Sequence, residues 1–170
     1  MTLYESSCTP MVWTSEPSAA AKGTVVSSSL SIYYGKSISD VQFYLKQNGT
    51  TVGICSAKLF NCSDGSTKHT FWSMNISDIS STGAWTNNSS TAYSGSITTG
   101  DIIGIEFSHA FSIGRYNGNC LDGTYSGYAS SATDCVNDHD FDLWYKITTG
   151  APPPEASGTV MPPPIAHVRL

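Results

Sequence analysis

Short segments in which apolar and polar residues alternate recur along this chain, and they constrain its fold more than any other feature. Successive side chains of a β-strand point to opposite faces, so strict alternation indicates a strand with one buried and one solvent-facing row. Residues 140–147 alternate in this way, with an apolar row formed by Phe141, Leu143, Tyr145 and Ile147. Trp144 is the exception, because it falls in the opposite row with Asp140, Asp142 and Lys146. We expect this segment to be a single strand that closes a folded domain.

Two further segments, residues 39–46 and 102–108, show the same pattern. Their predicted buried rows are Val41, Phe43 and Leu45 in the first and Ile103, Ile105 and Phe107 in the second. No apolar period of 3.6 residues, the mark of an amphipathic helix, extends beyond a single turn. Turn signals separate the segments at Asn48-Gly49, which predicts a hairpin, and at Asp64-Gly65. About eight to ten short strands between such turns predict an all-β fold, an antiparallel β-sandwich of the jelly-roll type.

The distribution of proline divides the chain into three predicted parts. Residues 1–23 are expected to form an extended lead-in with one short strand near 11–14, and residues 24–149 the sandwich. Residues 150–170 form a tail that holds six of the eight prolines, in two triplets. Proline triplets favour an extended polyproline II conformation and cannot continue a sheet. The tail is interpreted as an arm that reaches a neighbouring subunit, or alternatively as a flexible linker.

Composition excludes several classes of function. Only 12% of the 170 residues are charged and the net charge is −5, with the basic residues scattered, so we expect no nucleic-acid partner. No apolar run approaches the roughly 18 residues of a membrane span, and no signal peptide is visible. The chain also has no P-loop, dinucleotide fingerprint, nucleophile elbow or conspicuous pair of carboxylates. We therefore expect a protein that is not an enzyme.

Five cysteines and five Asn-X-Ser/Thr sequons point to an extracellular, cell-surface or virion-surface protein. The predicted disulfides join Cys120 to Cys135 and Cys55 to Cys62, which leaves Cys8 unpaired. Buried free thiols are the alternative. The sequons predict glycosylation at Asn48, Asn61, Asn75, Asn87 and Asn88.

An acidic, turn-rich segment precedes the closing strand. No lysine or arginine lies between Tyr116 and Tyr145, and carboxylates are frequent there. Calcium binds six to eight oxygen atoms from carboxylates, amides and backbone carbonyls, which such loops supply. A structural calcium ion is therefore one interpretation and a solvated acidic loop is the other; no cofactor is expected to be required. The candidate ligands are Asp122, Asp134, Asp138, Asp140 and Asp142.

Aromatic residues give a second candidate site. Tyr44 and Trp144 both fall in the outward rows of their predicted strands, so their rings could form a platform on one sheet. Sugars stack on such platforms through their C–H faces. The alternative is that a loop, the N-terminal lead-in or a partner covers the rings, since an exposed tryptophan often marks an interface. Predicted loop residues that would extend the platform are Trp85, Tyr125 and Tyr128.

Three of these segments also resemble a known family. The stretch 35–46 fits the pattern G-x-x-I-x-x-V-x-F-x-L-K, residues 100–106 fit G-D-x-I-G-I-E, and residues 140–142 read D-F-D. These patterns are similar to those of jelly-roll, carbohydrate-binding-module-like domains from secreted and surface proteins of archaea and bacteria. The resemblance covers residues 35–149 and rests on strand patterns. It implies a jelly-roll fold and carbohydrate binding.

Two functional hypotheses follow. The first is a structural subunit of a filament, sheath or shell, which associates with copies of itself through sheet edges and its terminal extension. The second is a carbohydrate-binding or adhesion module that uses the aromatic face.

Overall fold

The structure, a computed structural model, describes residues 1–5, 11–16, 20–47, 49, 52–86, 89–109, 111–117, 126–129, 131–135, 141–143 and 145–150. Regular structure in these residues consists of twelve strands and one short 3-10 helix, Ile76–Asp78. The strands are β1 Thr2–Glu5, β2 Met11–Glu16, β3 Ala20–Val26, β4 Ile38–Lys46, β5 Ile54–Asn61, β6 Thr67–Asn75, β7 Ala84–Trp85, β8 Asp101–Phe107, β9 Phe111–Asn117, β10 Ser126–Ala129, β11 Phe141–Leu143 and β12 Tyr145–Thr149.

The strands form two antiparallel sheets. The seven-stranded sheet has the order β1-β12-β4-β9-β11, with β2 paired to β9 and β7 paired to β4; the five-stranded sheet has the order β10-β3-β8-β5-β6. From β2 to β9 every connection crosses between the sheets except the β5–β6 hairpin. The resulting quartets, β2-β9-β4-β7 and β3-β8-β5-β6, form a jelly roll. The predicted all-β jelly-roll sandwich is confirmed.

The core lies between the sheets, and its rows are those that the alternation predicts. Val41, Phe43 and Leu45 of β4 are buried, as are Ile103, Ile105 and Phe107 of β8. The hydroxyl groups of Tyr33 and Tyr145 are also buried and bond to each other at 2.8 Å. This pairing satisfies two polar groups that would otherwise be costly inside the core.

The hairpin predicted at Asn48-Gly49 is wrong. Strand β4 belongs to the seven-stranded sheet, and the chain then crosses to β5, which pairs with β6 and β8. The β5–β6 hairpin does form at Asp64-Gly65, where Gly65 has φ +71°. An Asn-Gly pair specifies a chain reversal but not the sheet that receives the next strand.

The closing segment is two strands rather than one. Strand β11 pairs with β9, whereas β12 pairs with both β4 and β1. Leu143, Tyr145 and Ile147 are buried as predicted. Trp144 lies outside the described residues.

The N-terminal residues are part of the sandwich. Strand β1 pairs with β12, β2 pairs with β9 along its whole length, and β3 begins at Ala20. The expected boundary after residue 23 therefore does not separate a lead-in from the sheets. The proline-rich tail lies outside the described residues beyond Gly150. Among the described residues, no helix has the length and apolarity needed to cross a membrane.

Candidate functional site

Three aromatic rings meet on the outer face of the seven-stranded sheet, and Tyr44 is at their centre. Trp85 of β7 lies opposite Tyr44 in register, and the two rings meet edge-on with centroids 5.3 Å apart. Trp13 of β2 stacks on Tyr44 at 5.5 Å with an interplanar angle of 24°. All three side chains are partly exposed. We call this group, Trp13, Tyr44 and Trp85, the aromatic cluster.

The loop before β7 shapes the cluster. Gly83 has φ +100°, a conformation that glycine adopts readily, and its carbonyl accepts a long hydrogen bond from the Tyr44 hydroxyl at 3.5 Å. A Cβ at this position would lie 2.6 Å from Cζ2 of Trp13. The backbone therefore approaches the Trp13 ring more closely than any other residue type allows.

Two lysines flank the rings. Nζ of Lys146 lies 4.1 Å from the centroid of Trp85, and Nζ of Lys46 lies 5.7 Å from that of Trp13. Both distances are within the range of cation–π attraction. The cluster thus combines aromatic surface with positive charge in a chain whose net charge is negative.

A cleft of about 340 Å³ opens beside Trp85, at the lower end of the range for small-molecule sites. The Asp78 carboxylate lines this cleft and accepts hydrogen bonds of 3.3 Å from Asn75 Nδ2 and from the Ser77 hydroxyl. A carboxylate has about four acceptor positions, so Asp78 can accept further bonds. The cleft can therefore contact an apolar surface and accept hydrogen bonds. It is lined by Leu45, Met74, Asp78, Ile79, Ser80, Ala84, Trp85 and Thr86.

The structure unites two of the five predicted aromatic contact residues. Tyr44 and Trp85 are in contact, while Trp144 and Tyr125 lie outside the described residues. Tyr128 is in β10, opposite Thr24, in the five-stranded sheet. The third ring, Trp13, was missed because residues 1–23 were expected to precede the sandwich. The expected cover of the rings by the N-terminal segment is present in part, since Trp13 stacks on Tyr44.

The predicted calcium site falls mostly outside the described residues. Asp122, Asp138 and Asp140 lie beyond them; Asp134 lies in the segment 131–135 and Asp142 in β11. Within the part of the chain that the structure describes, no group of three or more His, Cys, Asp or Glu residues is placed to hold a metal ion. The calcium ion stays a prediction.

The predicted disulfide pairing is wrong. The disulfide joins Cys62 to Cys135, 73 residues apart in sequence, with a Cα–Cα distance of 5.2 Å, and Cys55 is a buried free thiol. Cys55 is in β5 and Cys62 lies just after the strand, seven residues further on. Seven residues of extended chain span about 23 Å, far beyond the reach of a disulfide. Burial raises the pKa of the Cys55 thiol to about 12. Cys8 and Cys120 lie outside the described residues.

Two of the five predicted glycosylation sites are described. Asn75 is exposed at the end of β6. Asn61 is half-buried at the end of β5, and its Oδ1 accepts bonds from the Ser63 amide at 3.1 Å and the Ser63 hydroxyl at 3.0 Å. Asn48, Asn87 and Asn88 lie outside the described residues. Glycosylation stays a prediction at all five positions.

Comparison with family models, with curated protein sequences and with solved structures finds no match to this chain. The resemblance to carbohydrate-binding-module-like domains therefore stays a prediction from the three strand patterns.

Proposed function

We propose that this chain is a non-enzymatic carbohydrate-binding module of a secreted or surface-displayed protein, and that the glycan binds at the aromatic cluster. The observation that carries the proposal is the meeting of Trp13, Tyr44 and Trp85 on one sheet face. The disulfide between Cys62 and Cys135 supports an oxidising, extracellular location.

The chemistry of the site suits a sugar ring. The C–H face of a pyranose is apolar and stacks on partly exposed aromatic rings such as that of Trp85. Sugar hydroxyls that project into the adjoining cleft can donate to the Asp78 carboxylate, which accepts bonds of 3.3 Å from Asn75 and Ser77. Binding would combine apolar contact on one side with charge-assisted hydrogen bonds on the other.

The test is calorimetric titration with a panel of neutral oligosaccharides. Trp85→Ala should weaken binding by about tenfold or more, since an aromatic contact of this kind contributes on the order of 1 kcal/mol beyond its buried area. Tyr34→Ala is the matched control, because Tyr34 is an exposed aromatic residue before β4 and outside the cluster. The proposal fails if no sugar binds, or if Trp85→Ala binds as tightly as the wild type.

A second candidate function, a structural subunit that associates with copies of itself, is favoured by strand β1. This strand ends the seven-stranded sheet, and within the described residues it pairs only with β12. Leu3 in this strand is 57% exposed. The outward N–H and C=O groups of an edge strand form a template for strand addition. The tail, which first suggested this function, lies outside the described residues.

Light scattering and electron microscopy test this second function. The wild type should assemble, and Leu3→Lys should be monomeric, because a charge on an edge strand opposes pairing. Leu30→Lys is the matched control, since Leu30 is also exposed, at 67%, but lies in a turn. A monomeric wild type would exclude assembly through this edge under the conditions used.

A further inference from the structure

A second apolar cluster lies on the outer face of the five-stranded sheet. Val25, Phe60, Cys62 and Ile102 come from three adjacent strands and the turn after β5, and none is more than 5% exposed. Their neighbours in sequence, such as Val26 and Ile103, belong to the main core instead. Because side chains alternate between faces, this outer cluster points away from the core and needs a cover of its own.

The cover includes the segment 131–135, which is bonded to the sheet. Ala132 packs on the outer cluster, and Cys135 forms the disulfide with Cys62, which is itself a member of the cluster. The Thr133 amide donates to the Ser131 hydroxyl and the Asp134 amide to the Ser131 carbonyl, both at 3.3 Å, and both bonds stay within the segment. We call residues 131–135 the cover segment.

On one side, a groove lies between the cover segment and the sheet. A groove of about 610 Å³ separates Ser131, Ala132 and Thr133 from side chains of the sheet such as Ile54, Ser56 and Glu106. The cover segment therefore packs against the sheet over only part of its surface. A segment that packs over part of its surface opens more readily than the core strands.

We propose that the Cys62–Cys135 disulfide is a redox-sensitive latch, and that its reduction releases the cover segment and exposes the outer cluster. In the reaction, one thiolate of a small dithiol attacks a sulfur of the disulfide and forms a mixed disulfide. The second thiolate of the reagent then displaces the remaining cysteine. The Cys62–Cys135 bond is broken, both cysteines become thiols, and the reagent is oxidised to a cyclic disulfide.

The sandwich should survive this reaction because its main core is on the other side of the sheet. Among the described residues, twenty buried side chains form that core, and they come from both sheets and from the segments between strands. The free thiol of Cys55 is among them, fully buried and facing inward, so it is poorly placed to exchange with Cys62. The latch goes beyond the proposed function, since the aromatic cluster is on the other sheet.

Hydrogen–deuterium exchange with and without dithiothreitol tests the latch. The dithiothreitol concentration is chosen by thiol counting, so that the Cys62–Cys135 disulfide is fully reduced. Reduction should speed exchange in peptides that span residues 131–135 by about tenfold or more, at exchange times too short for β4 and β8 to exchange through global unfolding. An apolar dye should bind more to the reduced protein than to the oxidised protein.

The double variant Cys62→Ala/Cys135→Ala should reproduce the reduced state without any reagent, and dithiothreitol should not change it further. Cys55→Ala should respond to the reagent as the wild type does, because the latch does not use the buried thiol. Unchanged exchange in 131–135 after full reduction would overturn the proposal. Faster exchange throughout both sheets at these short times would overturn it as well, because the disulfide would then hold the whole fold rather than one segment.

Discussion

The two outer faces of this sandwich both carry apolar side chains, but these side chains are covered on one face and partly exposed on the other. On the five-stranded sheet, the outer cluster is almost completely buried, and a disulfide-linked segment helps to cover it. On the seven-stranded sheet, the rings of Trp13, Tyr44 and Trp85 remain partly exposed. Apolar surface that a chain encloses stabilises the fold, whereas apolar surface left open is available for contact. The enclosed face therefore contributes to stability, and the open face is the one that we propose for binding.

The largest expected contrast is between Phe60→Ala and Tyr44→Ala. Phe60 is fully buried, so its removal leaves a cavity and should lower the free energy of unfolding by about 3–5 kcal/mol. Tyr44 is partly exposed and its neighbours can close around the gap, so we expect a loss of about 1 kcal/mol. Urea denaturation measures both. Equal losses of unfolding free energy would mean that the two faces contribute equally to stability, which would contradict the comparison.

The disulfide should come next in size. Cys62→Ala/Cys135→Ala frees a loop of 73 residues and should lower the free energy of unfolding by about 2–4 kcal/mol. Near-ultraviolet circular dichroism of the tryptophans should stay unchanged, because Trp13 and Trp85 are on the other sheet and Trp72 is buried in the main core. Loss of that signal in the folded variant would show that the two faces are coupled.

Gly83→Ala probes how the aromatic face is built, with Gly35→Ala as its matched control. Both glycines have positive φ, but a Cβ at Gly35 would meet no atom within 4 Å, whereas one at Gly83 would overlap the Trp13 ring. Gly35→Ala should therefore cost only the backbone strain, on the order of 1 kcal/mol. Gly83→Ala should cost about 1–2 kcal/mol more and alter the tryptophan circular dichroism. Identical behaviour of the two variants would contradict the close approach at Gly83.

The sequence predicts the structural features that depend on local alternation of apolar and polar residues. The buried rows of β4 and β8 follow from a period of two with one face covered, and both rows are confirmed. Pairing between distant segments is not encoded in this way, so the crossing after β4 and the division of the closing segment were missed. An Asn-Gly turn is compatible with either destination of the next strand.

The candidate site was found in part for the same reason. Tyr44 is recognisable because it breaks the polar row of its own strand, and Trp85 because it is aromatic in a polar loop. Trp13 reaches them only because β2 pairs with β9, a contact of high sequence separation. One error was avoidable, since seven residues of extended chain already place Cys55 and Cys62 too far apart for a disulfide.

The last and smallest effect depends on pH and on Cys55, which faces the main core from β5. Burial raises the pKa of Cys55 from 9.0 to about 12 in the folded protein, while Cys62 is in a disulfide and does not titrate. Below pH 9 the thiol is protonated in both states and contributes no pH dependence. Between pH 9 and 12 the unfolded chain releases this proton and the folded chain keeps it, so unfolding becomes more favourable by about 1.4 kcal/mol per pH unit. Urea denaturation at pH 8, 9 and 10 measures this slope, and Cys55→Ala should lack it while sharing every other alkaline effect. Parallel curves for the two proteins would mean that the Cys55 thiol reaches water in the folded state. The core around Cys55 would then be as accessible to water as the aromatic cluster on the outer face of the other sheet.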